Sequence, residues 1–125
     1  MKLAIIDDDS AVLMLLELCL QSAGHQVHSI CVREHQTVEG ILEQLQNRQI
    51  DAVLLDFRLP DIAVFELKKA VCQKMHLEPS KVIFLTASPE DIPEPHPCIA
   101  KPFSPLTIAA QICAMLEHDH NKDNG

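Results

Sequence analysis

Three short and nearly continuous apolar runs limit the fold of this 125-residue chain more than any other feature. They cover residues 2–6, 51–55 and 81–85, and they lack the alternation of polar and apolar side chains that marks a strand with one face in water. Such runs are typical of parallel strands that are covered on both faces. Two further runs, at residues 26–30 and 98–100, complete a predicted set of five strands.

Helical patterns lie between these strands. The predicted helices cover residues 10–23, 34–47, 62–75 and 105–116. We expect Gly24 to end the first of them, and we expect Ser104 to cap the last, with Pro105 at its first position. Strands that alternate with helices predict right-handed crossovers and an α/β fold with a doubly wound parallel sheet.

The connection between the fourth and fifth strands differs from the others. It reads TASPEDIPEPHPCI over residues 86–99, with prolines at positions 89, 93, 95 and 97. Proline lacks the backbone N–H and clashes with the preceding helical turn, so more than a single turn of helix is not expected here. We therefore predict an extended crossover, in which the fourth helix is missing or reduced to a turn.

Composition excludes several classes of function. The chain has 18 acidic and 10 basic residues and a net charge of −8, so it lacks the basic face that nucleic-acid binding needs. No apolar stretch approaches the roughly 18 residues that span a membrane, and the amino terminus leads into aspartates rather than a signal-peptide cleavage site. We expect a cytoplasmic protein that binds neither nucleic acid nor membranes. Its single domain should cover residues 1–117, followed by a polar tail at residues 118–125.

Cysteine and histidine residues do not form a metal-binding pattern. The five cysteines are odd in number and widely spaced, with no CxxC pair. Most lie in apolar surroundings, so buried free thiols are a better interpretation than disulfides or zinc ligands. The seven histidines likewise show no ligand spacing with the cysteines.

Chemically active residues follow the carboxyl ends of the predicted strands, where open parallel sheets bind their ligands. Aspartates at positions 7–9 follow the first strand, and Asp56 follows the third. Thr86 ends the fourth strand, and Lys101 follows the fifth. Each residue has an ordinary explanation on its own, as a helix cap, a turn residue or a solvated charge. Together, the carboxylates, hydroxyl and ammonium are better explained as one site.

These residue types predict phosphoryl-transfer chemistry. Asp7, Asp8 and Asp56 would lie close together, and like charges so placed resist ionisation unless a cation neutralises them. Mg²⁺ fits best, because it prefers oxygen ligands and keeps positions open for phosphoryl oxygens. With Thr86 as a hydroxyl donor and Lys101 as a second positive charge, a carboxylate nucleophile would form an aspartyl phosphate.

The segments LAIIDDDS, DAVLLDFRLPD, VIFLTAS and AKPF resemble the signature segments of response-regulator receiver domains and occur in the same order. The resemblance extends from about residue 2 to residue 116. It implies a flavodoxin-like five-stranded sheet with the strand order 2-1-3-4-5. It also implies that Asp56 is the phosphoacceptor, and that Mg²⁺ is held by Asp7, Asp8, Asp56 and the backbone carbonyl of Arg58.

The same resemblance assigns further roles and exposes two departures from the family pattern. Thr86 matches the switch hydroxyl, Lys101 matches the phosphate-binding lysine, and a cis peptide is implied between Lys101 and Pro102. However, no glycine follows Pro60, where family members usually have one. Cys98 also stands where the family usually has an aromatic switch residue. Together with the missing helix, these departures indicate an unusual output route.

The leading hypothesis is a stand-alone, non-enzymatic receiver domain that takes a phosphoryl group from a phosphohistidine onto Asp56. The resemblance implies a histidine kinase or histidine phosphotransfer protein as partner, docked on the first helix, where Met14 is expected to be exposed. The downstream protein is unknown. A second hypothesis is a degenerate receiver that binds proteins without phosphorylation, which the missing helix favours. A third, a phosphatase of the haloacid dehalogenase type, would leave Asp56 without a role.

Overall fold

Five parallel strands form one sheet in the part of the chain that the structure describes. A computed structural model describes the backbone of residues 1–124 and the side chains of residues 1–117. The strand order is β2-β1-β3-β4-β5, and all neighbours pair in parallel. The strands are β1 (Lys2–Asp7), β2 (Gln26–Cys31), β3 (Ala52–Asp56), β4 (Val82–Thr86) and β5 (Cys98–Ala100). The predicted doubly wound, flavodoxin-like sheet is confirmed.

Four α-helices lie between or after these strands in the described residues. They are α1 (Ser10–Ser22), α2 (Val38–Leu45), α3 (Val64–Met75) and α4 (Ile108–Asn124). Before α1, the carboxylate of Asp9 accepts hydrogen bonds from the N–H groups of Ala11 and Val12, which are free at a helix start. After α1, Gly24 adopts a φ of 92°, a conformation that favours glycine. The expected end of the first helix is therefore confirmed.

Two helices begin later than predicted, and for the first of them a capping hydrogen bond gives the reason. Helix α2 begins at Val38 rather than at residue 34, since the hydroxyl oxygen of Thr37 accepts the N–H of Gly40 and caps the helix there. Helix α3 begins at Val64, two residues after the predicted start. The start of α2 thus depends on a single capping contact rather than on the apolar pattern, whereas no side-chain cap precedes α3.

The bounds of α4 correct the prediction at both ends. The hydroxyl of Ser104 accepts the N–H of Leu106 in a turn, and the helix begins at Ile108 instead of residue 105. Its backbone continues through residues 118–124, because no proline or glycine interrupts the chain between residues 108 and 124. The predicted tail at residues 118–125 is thus helical up to residue 124, and residue 125 lies outside the described residues. The division into a domain of residues 1–117 and a separate tail stays a prediction.

The sheet is covered on both faces, as the continuous apolar runs predict. Every residue of β3 and β4 is buried. On one face, Ile41 of α2 and Leu67 of α3 belong to the same core cluster as Phe84. On the other face, Leu16 of α1 and Ile112 of α4 belong to a second cluster. In the central strands β3 and β4 this two-sided burial leaves no side chain along the strand open to solvent, so a ligand site on them must lie at their ends.

The connection from β4 to β5 is extended, as predicted. All of it is described, and its only helical part is a single 3₁₀ turn at Pro89–Asp91. Ile92 is buried in the same core cluster as Phe84. The ring of His96 lies 5.2 Å from that of Phe65 and 5.6 Å from that of Phe84, measured between centroids. This crossover, residues 87–97, therefore lies on the sheet face beside α3 without forming a helix.

A buried lysine lies in the same region. The Nζ of Lys68 on α3 donates a hydrogen bond to the carbonyl of Val82 at 3.0 Å and lies 5.1 Å from the ring centroid of Phe84. The residue is 3% exposed, and burial lowers its pKa to about 8. The carbonyl and the ring face both interact favourably with the ammonium, which makes this burial tolerable.

Neither a membrane-spanning helix nor a disulfide occurs among the described residues. No helix in this part of the chain is both long enough and apolar enough to cross a membrane. All five cysteines are free, as expected, but each is only partly buried, so the prediction of buried thiols was too strong.

Helix α1 exposes more apolar surface than a single buried stripe would leave. Leu13, Leu16 and Leu20 are buried, whereas Met14 and Leu18 are each 63% exposed. The predicted exposure of Met14 is confirmed. An apolar face in water is typical of a surface that contacts another molecule.

Because one face of α1 is buried and the other is exposed, we predict that two leucines only two positions apart contribute very differently to stability. We expect Leu16→Ala to lower the free energy of unfolding by about 2–5 kcal/mol, because it leaves a cavity in the core. We expect Leu18→Ala to lower it by less than about 0.5 kcal/mol, because its side chain is already in water. Urea denaturation followed by circular dichroism measures both values, and equal losses would contradict the assignment of the two faces.

Candidate functional site

Three carboxylates meet at the carboxyl edge of the sheet. Asp7 is the last residue of β1, Asp56 is the last residue of β3, and these two strands are neighbours. Asp8 follows Asp7 in the loop that leads to α1. One carboxylate oxygen of each residue lies within 4.8 Å of the other two. Asp7 is fully buried and Asp56 is 7% exposed, whereas Asp8 is exposed, so the cluster opens to solvent at Asp8.

Lys101 brings a positive charge to this cluster. Its backbone N–H donates to the carbonyl of Thr86 at 2.7 Å, which ties the loop after β5 to the end of β4. Its Nζ lies 2.9 Å from Oδ2 of Asp7 and 3.4 Å from Oδ1 of Asp56. The peptide between Lys101 and Pro102 is cis, as the resemblance implied. The structure therefore brings together Lys101 and the three aspartates that the sequence predicted.

Backbone N–H groups orient the two carboxylates that end strands. Oδ1 of Asp7 accepts the N–H of Asp9 at 2.9 Å, and Oδ1 of Asp56 accepts the N–H of Arg58 at 3.4 Å. Each carboxylate thus accepts a hydrogen bond from the backbone N–H of the second residue after it, in the loop that follows the strand. Asp9 itself caps α1, which is the ordinary role for an aspartate at this position.

The crowding of carboxylates changes the acidity of Asp56. Burial and the charge of Asp7 raise the pKa of the Asp56 carboxyl to about 7, although the ammonium of Lys101 acts in the opposite direction. For Lys101, burial lowers the pKa, but the hydrogen bond and charge of Asp7 and the charge of Asp56 outweigh it and raise the pKa overall. One lysine therefore offsets only part of the negative charge at this edge.

The cluster suits a small divalent cation. Three ionised carboxylates would face the single positive charge of Lys101, and an oxygen-binding divalent cation such as Mg²⁺ would offset the rest. Among the described residues, Asp7, Asp8 and Asp56 are the only group of three His, Cys, Asp or Glu side chains positioned to hold a metal. The fourth ligand that the sequence analysis named, the backbone carbonyl of Arg58, stays a prediction.

Thr86 is the last residue of β4 and lies one residue beyond the position paired with Asp56. Leu85 is the residue paired with Asp56 across the two strands, and Thr86 follows it. Thr86 is 2% exposed, and its hydroxyl oxygen accepts the N–H of Ser88 at 3.0 Å. The residue thus belongs to the same edge, with its hydroxyl turned to the start of the crossover.

One contact at this edge was missed by sequence reasoning. The guanidinium of Arg58 lies 3.8 Å from the carboxylate of Asp91, which belongs to the 3₁₀ turn of the crossover. The two residues are far apart in sequence, and each reads as a solvated charge on its own. Only the course of the crossover over the sheet brings them together.

Fold and site together define a flavodoxin-like α/β protein with an acidic pocket that a lysine bridges at the carboxyl edge of the sheet. The family model described as the response regulator receiver domain matches residues 3–112, so the chain belongs to this family. Receiver domains are signalling modules of two-component systems, they accept a phosphoryl group, and they bind Mg²⁺ in an acidic pocket.

Similar proteins span the same family. The chain is 29% identical over 122 residues to the phosphate regulon transcriptional regulatory protein PhoB of Rhizobium meliloti, covering 92% of this chain and 52% of PhoB. The structure of chemotaxis protein CheY4 of Vibrio cholerae is similar with a TM-score of 0.74, at 24% identity, over 91% of this chain and 97% of that one. Response regulator TrrA of Thermotoga maritima, solved with Mg²⁺ and beryllofluoride, has a TM-score of 0.69 at 20% identity, over 91% and 97% of the two chains. These two structural similarities show the fold alone. The chain spans about half the length of the curated relatives it matches.

The raised pKa of Asp56 predicts a pH dependence of stability. The carboxyl titrates at about 7 in the folded protein but near 4 in an unfolded chain. Protonation therefore favours folding: its contribution is fully present below about pH 4 and is lost as the pH rises through 7. An asparagine cannot ionise, so we expect Asp56→Asn to raise the free energy of unfolding at pH 8 by an amount on the order of 2–4 kcal/mol.

Urea denaturation at pH 4 and at pH 8, with a chelator in the buffer, measures this effect. The two proteins should differ little at pH 4, where the Asp56 carboxyl is protonated in the folded protein and only about half ionised in the unfolded chain. A difference between the variant and the unaltered protein that is the same at both pH values would contradict the assigned acidity.

Proposed function

We propose that this chain takes a phosphoryl group from a phosphohistidine onto Asp56 in a two-component phosphorelay. The observation that supports this most directly is the convergence of Asp7, Asp8 and Asp56, whose oxygens lie within 4.8 Å of one another, on the ammonium of Lys101. Crowded carboxylates at a largely buried edge destabilise a fold, so a purely structural role does not explain them. Perturbed acidity in such a cluster is typical of functional sites.

Asp56 is the proposed nucleophile. One of its carboxylate oxygens attacks the phosphorus of the phosphohistidine, an O–P bond forms, the P–N bond breaks, and the departing imidazole takes up a proton. Asp56 must be ionised for this attack, and the charge of Lys101 at 3.4 Å favours the ionised form. The product is an aspartyl phosphate, so the chain is modified itself and is not an enzyme that acts on a separate compound.

Asp7, Asp8, Asp56 and the backbone carbonyl of Arg58 are the proposed ligands of Mg²⁺. When bound, this ion supplies positive charge for the oxygens of the transferred phosphoryl group. Asp7 is fully buried and hydrogen-bonded to Lys101, so its carboxylate is held in one place. Asp8 is exposed and stands at the entrance of the pocket.

Lys101 and Thr86 are proposed to hold the phosphoryl group after transfer. The ammonium of Lys101 already contacts two carboxylates and can offset the negative charge of phosphoryl oxygens in the same place. The hydroxyl of Thr86, at the end of the strand next to Asp56, can donate a hydrogen bond to one of these oxygens. Both residues contribute positive or donor groups where new negative charge appears.

The proposed phosphoryl donor is a histidine kinase or a histidine phosphotransfer protein in the cytoplasm. Exposed apolar side chains lie on α1 and after β5, with Met14 and Leu18 each 63% exposed and Leu106 96% exposed. A largely apolar groove of about 330 Å³, lined in part by Phe103, extends to Lys101. A partner helix with an apolar face could pack here and present its histidine to the pocket. We propose that the chain binds neither nucleic acids nor membranes, in keeping with its net charge of −8. The downstream protein is unknown.

A second candidate function is protein binding that does not depend on phosphorylation. The extended crossover favours it. In this family a helix commonly connects the fourth and fifth strands and forms part of the output surface, and here that helix is reduced to a single 3₁₀ turn. The intact set of aspartates, threonine and lysine at the sheet edge favours the phosphoacceptor.

Phosphorylation by a small donor separates the two candidates. We expect incubation with Mg²⁺ and acetyl phosphate to add one phosphate to the intact mass, because the site itself carries out the transfer. Asp56→Asn should abolish the gain. Asp51→Asn is the matched control: Asp51 immediately precedes the same strand at its opposite end, where its carboxylate accepts the N–H of Lys2.

The controls decide how the result is interpreted. The Asp51→Asn protein should gain phosphate as the unaltered protein does, and a chelator should prevent the gain in both. No gain in a protein whose circular dichroism shows an intact fold would reject the phosphoacceptor function and favour the second candidate.

A further inference from the structure

A groove of about 300 Å³ lies at the amino edge of the sheet, where the strands begin and opposite the acidic pocket. Lys2 begins β1 and Gln26 begins β2, so both stand at this edge. Side chains alternate along a strand, so His28 points to the same face as Ile30, which belongs to the core cluster beneath α2. Residues 47–50, from the loop between α2 and β3, form the opposite wall. We call this cavity the amino-edge groove.

The amino-edge groove is cationic although the chain as a whole is acidic. Lys2 and Arg48 line it, and none of its lining residues is acidic, whereas the net charge of the chain is −8. Asp51 borders the groove, but Oδ2 of its carboxylate accepts the backbone N–H of Lys2 at 2.7 Å. Two cations in a cavity without a lining carboxylate attract an anion.

Both cations are positioned by a hydrogen bond that uses only part of their capacity. Nζ of Lys2 donates to Oε1 of Gln49 at 3.0 Å. Nε of Arg48 donates to the carbonyl of Gln44 at 3.2 Å. Ammonium and guanidinium groups each have several N–H donors, and each of these bonds uses one of them. The remaining donors of both side chains can therefore bind the oxygens of an anion in the groove.

The ring of His28 lines the same groove and has an unpartnered nitrogen. Its Nε2 is buried and has no hydrogen-bond partner among the described residues. Burial and the charge of Arg48 lower the pKa of this imidazole overall, although the nearby carbonyl of Gln44 and the charge of Glu17 act in the opposite direction. The ring is therefore neutral at pH 7. A buried polar atom without a partner costs free energy, and a ligand that reaches it reduces that cost.

We propose that the amino-edge groove binds a small phosphorylated metabolite, whose phosphate is held between Lys2 and Arg48. A phosphate monoester carries up to two negative charges near neutral pH and accepts several charge-assisted hydrogen bonds, which matches two cations with unused donors. A volume of about 300 Å³ is at the lower end for small-molecule sites, so the organic part lies in the same groove, against Val27 and Ile50. The inference does not depend on the proposed function, since it needs no phosphoryl group at Asp56.

Titration of the ¹⁵N-labelled full chain, followed by the NMR shifts of its backbone amides, tests the inference. The probes are inorganic phosphate and glycerol 3-phosphate at constant ionic strength, with a chelator present so that no divalent cation draws phosphate to the acidic pocket. We expect saturable shifts at residues 26–28 and 47–50, with half-saturation on the order of 1 mM. Residues 56–58 should not shift. The ester should bind more tightly than free phosphate, because its organic part adds apolar contacts.

Variants of the two cations and a matched control give a second test. We expect Arg48→Gln and Lys2→Gln each to weaken the binding of glycerol 3-phosphate about threefold or more, because each removes a charge that the anion contacts. Lys69→Gln removes the same charge from an exposed position on α3 and should leave binding unchanged. Arg48→Lys keeps the charge and should bind more tightly than Arg48→Gln, whereas a disturbed loop would weaken both variants equally.

The carboxylate at the border of the groove gives a change of opposite sign. Asp51→Asn keeps an oxygen that can accept the N–H of Lys2 but removes a negative charge, so it should strengthen binding about twofold. Shifts that do not saturate, or equal losses in Lys69→Gln and Arg48→Gln, would overturn the site. Binding of free phosphate that is as tight as that of the ester would overturn the assignment to a metabolite.

Discussion

The contact between Lys101 and two neighbouring carboxylates is the interaction on which the rest of the site depends. Asp7 and Asp56 end adjacent strands, so their side chains are close wherever the sheet forms. Without a cation their charges would repel in a poorly solvated place. The ammonium lies 2.9 Å from Asp7 and 3.4 Å from Asp56, but it comes from the loop after β5, two strands further along the sheet than β3. The strand order is therefore what brings the ammonium close enough to offset the repulsion between the two carboxylates.

The same arrangement explains the raised pKa of the Asp56 carboxyl. Strands buried on both faces make the surroundings of Asp56 apolar, and this burial is the largest cause of its raised pKa. A carboxyl whose pKa lies near 7 changes its charge readily when a cation or a phosphoryl group binds beside it. The core that stabilises the sheet thus also sets the acidity of the proposed nucleophile.

Sequence reasoning succeeded where a pattern of residue types has a single structural meaning, as in apolar runs and the polar residues that follow them. Three nearly continuous apolar runs and two further runs predicted the five strands, and polar residues at the carboxyl ends of strands predicted which side chains would converge. It failed where a single contact decides the outcome: the cap at Thr37 shortened α2, and the turn at Ser104 delayed α4. It also missed the burial of Lys68, because a lysine on a helix usually extends to solvent and nothing in the chain marks its partner at Val82.

The crossover raises the question of how a segment with four prolines and no α-helix stays on the sheet. Three of the four phenylalanines provide an answer: Phe57, Phe65 and Phe84 contact one another edge to face, with centroids 5.4–5.6 Å apart, and His96 joins the latter two. Each such pair contributes about 0.5–1.5 kcal/mol beyond its buried area. The prolines also restrict the unfolded chain, which lowers the entropy lost on ordering the segment. Since Phe57 directly follows Asp56, the aromatic cluster that anchors the crossover begins one residue from the acidic pocket.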